Sequence, residues 1–151
     1  MLRSSPVDNL VRVVVIEDNA DDQELLLRQL RKSGMDTHVK FIANGQEALD
    51  FLINPDSASI AKELIAVFLD LKLPSLNGLE LLRRIRSTDH LQNLPVIVMT
   101  SSNDPKDMEE CRRLKVTSYV SKPVSFTTFS KSVADVFHLP KTDDLNPLPQ
   151  A

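Results

Sequence analysis

The stretch Val67-Phe68-Leu69-Asp70-Leu71-Lys72-Leu73-Pro74 decides the fold. Val67 to Leu69 form a continuous apolar run, the pattern of a strand covered on both faces in a parallel sheet rather than the alternation of a half-exposed one. The run delivers a single carboxylate, Asp70, and stops at Pro74. The C-terminal ends of such strands form the rim where open α/β sheets bind ligands, so Asp70 stands where chemistry is done.

Outward from this strand, placed at Ala66 to Leu71, the same punctuation repeats. Upstream, Val11 to Ile16 is mostly β-branched and apolar and reads as the first strand, ending in the acids Glu17 and Asp18. A helix follows from Asp21 to Lys32, with acids in its first turn and basic residues in its last, an apolar stripe of Leu26, Leu27 and Leu30, and Gly34 as its stop. Thr37 to Ile42 is the second strand, and Asn44 with Glu47 opens the second helix in a capping-box-like pattern. The polar, Ser-rich stretch 54–62 reads as an insertion of unassigned role.

Downstream, Asn77-Gly78 starts a third helix with Leu79, Leu82 and Ile85 inward. Val96 to Met99 is the fourth strand and leads into Thr100. Asp104-Pro105 is an N-cap followed by a first-turn proline, opening a helix to Leu114. Thr117 to Val120 is a fifth strand before Ser121-Lys122-Pro123, and Ser125 caps a last helix to Phe137. Residues 1–10 and 138–151 read as tails around one domain, 11–137.

Strands alternating with helices predict a three-layer α/β domain with a mainly parallel sheet and right-handed crossovers. Glu17 and Asp18, Asp70, Thr100 and Lys122 then all fall at strand ends, on one edge of a doubly wound sheet. Carboxylates crowded there repel one another unless they share a cation. Magnesium suits hard oxygen donors, with Asp18, Asp70 and the backbone carbonyl of Lys72 as ligands and Glu17 acting through water. Asp70 is then a nucleophile toward phosphorus, with Lys122 and the Thr100 hydroxyl taking phosphoryl oxygens.

The chain of 151 residues, 42% apolar and 26% charged, has material for one core and no room for a second domain. A net charge of -3, with the basic residues scattered, gives no nucleic-acid footprint. The grouping of Arg83, Arg84 and Arg86 with Arg112, Arg113 and Lys115 reads as solvated helix surface. No apolar run reaches the roughly 20 residues of a membrane span, and residues 1–10 lack a signal-peptide core, so a cytoplasmic setting is expected. The single cysteine, Cys111, excludes an internal disulfide, and His38, His90 and His138 make no zinc pattern.

Taken together, Glu17-Asp18, Asp70 in Leu-Asp-Leu-Lys-Leu-Pro, Asn77-Gly78, Thr100, Tyr119 and Lys122-Pro123 make the chain resemble the receiver domains of two-component response regulators, over Val11 to Phe137. The resemblance implies a flavodoxin-like (βα)5 fold of strand order 2-1-3-4-5 and phosphotransfer from a sensor histidine kinase to Asp70 with Mg2+. It further implies self-catalysed phosphorylation and dephosphorylation, a switch pairing Thr100 with Tyr119, and a cis peptide before Pro123. Leu71-Lys72-Leu73-Pro74, the segment before the third strand and the ending Val136-Phe137-His138-Leu139-Pro140 resemble the small stand-alone regulators paired with phytochrome-type kinases. Such regulators often pair through the last helix, here carrying Phe126, Phe129, Val133, Val136 and Phe137, so a homodimer using that helix and the C-terminal tail is expected. Two positions depart from the commonest pattern: Glu17 replaces an aspartate, and Lys72 stands where the family modulates dephosphorylation.

Other functions remain on the same sheet: a relay or sink passing phosphate to a histidine phosphotransfer protein, a binding-only pseudo-receiver, or an aspartate phosphatase. The phosphatases usually need a second aspartate at position 72, which is lysine, and a pseudo-receiver would normally have lost Asp70 or Lys122. A DNA-binding output is disfavoured, since nothing after Phe137 reads as a helix-turn-helix.

Overall fold

Three short apolar runs, Val13–Ile16 (β1), Ala66–Leu69 (β3) and Val96–Thr100 (β4), join Val39–Ile42 (β2), which Lys40 interrupts, and Ser118–Ser121 (β5) in one parallel sheet of order 2-1-3-4-5. The computed structural model describes residues 11–54 and 63–137. Between the strands run Ala20–Lys32 (α1), Gly45–Ile53 (α2), Gly78–Arg86 (α3), Pro105–Arg113 (α4) and Phe126–Phe137 (α5), in the flavodoxin-like arrangement. The segment 55–62, both expected tails and the side chains of Val136 and Phe137 lie outside what is described.

The two-residue repeat of the strands splits the core into two layers. Val13 and Val15, Ala66 and Phe68, and Ile97 and Met99 face α1 and α5, where Leu26, Leu30, Phe129 and Val133 cover them. Val14 and Ile16, Val67 and Leu69, and Val96 and Val98 face the other way, against Leu49 and Leu52 of α2, Leu82 and Ile85 of α3, and Cys111 of α4. The rings of Phe68 and Phe129 stack with centroids 5.6 Å apart, which ties α5 to the central strand. No helix among the described residues is long and apolar enough to cross a membrane.

Helix starts follow the side chains that satisfy their free N–H groups. Asn19 accepts from Asp22 N at 2.9 Å, Asn44 from Glu47 N at 2.9 Å, Asn77 from Leu79 N at 2.9 Å, and Asp104 from Lys106 N at 2.9 Å. Ser125 Oγ accepts from Thr128 N at 3.2 Å.

Several expectations need correction. β1 begins at Val13 rather than Val11, and β2 at Val39 rather than Thr37, because His38 takes φ 64° and its carbonyl caps the edge, accepting from Arg12 N and Val13 N. β3 stops at Leu69, and β5 is Ser118–Ser121, one residue later than read. Leu81, not Leu79, completes the fully buried face of α3, and Gln29 rather than Leu27 is buried on α1. Arg86 is not solvated surface. Its guanidinium donates to the carbonyls of Leu94 (2.7 Å), Leu114 (2.7 Å), Gln92 (3.2 Å) and Lys115 (3.2 Å), closing the ends of α3 and α4 together. A short 3-10 turn, Asp89–Leu91, also escaped the reading.

The loop after Asp70 is held by two glycines. A Cβ on Gly78 would sit 2.5 Å from the Asp70 carbonyl oxygen and 2.5 Å from Leu71 Cα, and one on Gly45 would sit 2.0 Å from the Leu76 carbonyl oxygen. Gly78 N donates to Leu71 O at 2.9 Å and Gly45 N to Pro74 O at 3.3 Å, so the chain beyond β3 is pinned to the starts of both helices. The obstructing atoms at Gly78 are backbone and cannot swing aside. Gly78→Ala should therefore lower stability by about 1–3 kcal/mol in urea unfolding, the usual cost of overpacking; an unchanged midpoint would mean that the loop is not held as described.

Candidate functional site

The strand register assembles the site. Ile16 pairs with Leu69, so the residues that follow, Glu17 and Asp70, emerge side by side. Glu17 N bonds Ile42 O at 3.0 Å and Asp70 N bonds Ile16 O at 3.0 Å, carrying the ladder one step past the strands. Thr100 pairs with Ser121, and Lys122 N bonds Thr100 O at 2.9 Å. The peptide between Lys122 and Pro123 is cis.

Lys122 is the hub. Its ammonium donates to Glu17 Oε1 at 2.6 Å, Asp70 Oδ2 at 2.9 Å and Asp22 Oδ2 at 2.9 Å, which uses all three of its protons. Burial opposes the charge on Lys122 most strongly, but the three carboxylates together outweigh it and hold the ammonium above its ordinary range. Glu17, only 1% exposed, is pushed above the usual carboxylate range, chiefly by burial, with Asp70 adding to the rise. Lys122 and the Asn19 N–H, the latter 3.1 Å from Glu17 Oε2, oppose that rise. The remaining oxygen of Asp70, Oδ1, accepts from Lys72 N at 3.0 Å.

Carboxylate oxygens of Glu17, Asp18 and Asp70 lie within 4.8 Å of one another. At that spacing an unscreened like-charged pair repels by about 3 kcal/mol at an effective dielectric near 20. Hard oxygen donors at such separation match a small divalent cation, and Mg2+ fits the set better than a soft metal. They open on a cleft of about 490 Å³ that Asp22, Ser101 and Pro123 also line.

Thr100 is fully buried and does not line this cleft; its side chain lies on the α2, α3 and α4 side of β4, in step with Val96 and Val98. Its hydroxyl accepts from Ser102 N at 3.1 Å, and the Ser102 carbonyl accepts from the Tyr119 hydroxyl at 3.0 Å. Ser102 Oγ donates to Asp107 Oδ2 at 2.7 Å. Thr100 and Tyr119 are thus linked through one residue of the loop after β4.

Sequence reasoning missed Asp22 and Ser102. Asp22 read only as a first-turn acid suited to the helix dipole, yet it stands four residues before Leu26 and seven before Gln29, both buried. That spacing placed it on the inner face of α1. Ser102 carried no comparable signal, because its role follows from the fold of a loop.

Comparison with known proteins agrees with this geometry. The family model for the response regulator receiver domain matches residues 13–134. The solved structure of the bacteriophytochrome response regulator RtBRR superposes with a TM-score of 0.71 at 37% identity, covering 84% of this chain and 78% of that one. The response regulator Rcp1 of Synechocystis sp. is 27% identical over 127 residues, 84% of this chain and 82% of its own length. The crystal structure of the Mn(2+)-bound form of response regulator Rcp1 gives a TM-score of 0.70 at 26% identity, covering 85% of this chain and 94% of that one. With the family model spanning every strand, and the acids and lysine converging where the register sends them, the chain belongs to the receiver domains of two-component response regulators.

Proposed function

We propose that Asp70 accepts a phosphoryl group from the phosphohistidine of a sensor histidine kinase and that the resulting aspartyl phosphate switches a signalling surface. The observation that carries this reading is the 2.9 Å contact between Lys122 Nζ and Asp70 Oδ2 beside the acidic cleft. A carboxylate oxygen of Asp70 attacks phosphorus, a new P–O bond forms, the P–N bond to the imidazole breaks, and the leaving nitrogen takes a proton from solvent. Charge on the transferring group is the main obstacle, and positioning with charge neutralisation supplies most of the catalysis. Lys122 exchanges carboxylate oxygens for a phosphoryl oxygen, a move its flexible stem permits.

Glu17, Asp18 and Asp70, with the Lys72 carbonyl, would hold Mg2+. Bound there, the ion would neutralise the acids and offset the phosphoryl charge. The Lys72 N–H already orients Asp70 Oδ1.

The switch runs through Thr100. A phosphoryl oxygen on Asp70 draws the Thr100 hydroxyl toward it as a donor, and any shift there passes by the Ser102 amide, which donates to that hydroxyl, to the carbonyl that holds Tyr119. The surface so biased is that of α4, β5 and α5. Likeness to bacteriophytochrome response regulators supports a phytochrome-type kinase as donor, and a cytoplasmic setting is part of the same proposal. A homodimer through α5 and a histidine phosphotransfer protein as onward acceptor are the further partners in this proposal.

Incubation with acetyl phosphate and Mg2+ should add one phosphoryl group by intact-mass spectrometry, with none added without metal or in Asp70→Asn. Modification that persists in Asp70→Asn would place the acceptor elsewhere. Metal binding should raise stability by about 2.7 kcal/mol when Mg2+ reaches a hundred times its dissociation constant. Asp18→Asn should lose most of that gain while being as stable as wild type, or up to about 1 kcal/mol more so, without metal, since one like charge has gone. An undiminished Mg2+ effect in Asp18→Asn in thermal unfolding would remove Asp18 from the metal site.

A further inference from the structure

Behind the Lys122 cluster, between α1 and the sheet, lies a cavity of about 20 Å³. Its polar lining is Glu17, Asp22, Gln29 and Lys122, and its apolar lining includes Leu26 and Met99. Gln29 is 6% exposed, and its Oε1 is buried with no hydrogen-bond partner among the described residues. A carboxamide oxygen left dry in this way is costly, and native proteins seldom tolerate it.

The cavity has room for one water molecule, which needs roughly 10–15 Å³ of such space and two or more polar partners. Side chains on a helix lean toward its N-terminus, so the Gln29 carboxamide reaches up from its own turn toward Asp22 and the end of β1. Lys122 spends all three protons on carboxylates, which leaves Gln29 no donor from that side. Water can donate to both Gln29 and a carboxylate.

We propose that this cavity binds one long-lived water molecule, anchored on Gln29 and hydrogen-bonded to Glu17, and that the water remains as donor to Glu17 when Lys122 turns to a phosphoryl oxygen. Glu17 Oε2 keeps the Asn19 N–H throughout, whereas Oε1 depends on Lys122. Without a substitute, the departure of Lys122 would strand a carboxylate oxygen that is almost fully buried. Gln29 is thus a positioning residue, acting through water on the acid beside Asp70. The second half of this inference rests on the phosphoacceptor reading; the water site does not.

The test uses metal-free, unphosphorylated protein, so that its result is independent of phosphoryl transfer. Water-to-methyl cross-relaxation by NMR should show a long-lived water at Met99 and Leu26, and the signal should vanish in Gln29→Met, which keeps the length but lacks the carboxamide. Absence of the signal in wild type, or its survival in Gln29→Met, would overturn the site. With acetyl phosphate and saturating Mg2+, Gln29→Met should phosphorylate at least threefold more slowly with its Mg2+ midpoint unchanged. An unaltered rate would overturn the donor role, and a shifted Mg2+ midpoint would show that Gln29 acts on metal binding instead.

Discussion

Glu17, Asp22 and Asp70 meet a single ammonium, that of Lys122, at one edge of the sheet, and Asp18 lines the same cleft. No arrangement of four acids and one lysine is neutral, and burial of Glu17 and Asp70 removes the water that would screen them. The fold tolerates this because the surrounding core is fixed by other means. Both faces of β1, β3 and β4 are fully covered, and the ladder bonds of Glu17 and Asp70 continue from those strands. These ladder bonds hold the backbones of Glu17 and Asp70 side by side. A site under such charge pressure is receptive to a divalent cation, which relieves it and would offset the charge of an incoming phosphoryl group.

The same geometry explains how a local event can reach a surface. Lys122 N is bonded to Thr100 O, Thr100 Oγ1 to Ser102 N, and Ser102 O to the Tyr119 hydroxyl. These are discrete contacts on the ends of β4 and β5 and the loop between β4 and α4, and of these strands β5 is only partly buried. Coupling through them needs only small movements, since each link is made or broken over a fraction of an ångström.

The fold was legible because β1, β3 and β4 are short apolar runs with punctuation, and each helix start carries a side chain that can accept its free N–H groups. Strand ends were less legible: Val11 and Thr37 have strand-forming side chains, yet the left-handed turn at His38 ends the pairing before them. The acids and lysine were legible by their place after apolar runs. Asp22 was obscured because the dipole of α1 explains an acid at its start equally well, and Arg86 because four carbonyl partners from separate segments leave no mark in local sequence. The Gln29 cavity was likewise out of reach, since a glutamine within a leucine stripe does not reveal whether its carboxamide finds a partner.

The central claim is that Lys122 occupies, in this state, the carboxylates from which a phosphoryl group and Mg2+ will draw it. The most direct measurement is a crystal structure with Mg2+ and beryllofluoride, which mimics a phosphoryl group on a carboxylate. The account predicts beryllium on an Asp70 oxygen, the metal against Asp18 and Asp70, and Lys122 Nζ moved from Asp22 to a fluoride. Beryllofluoride bound elsewhere, or Lys122 still bridging Glu17, Asp22 and Asp70 with the fluorides unpaired, would contradict it.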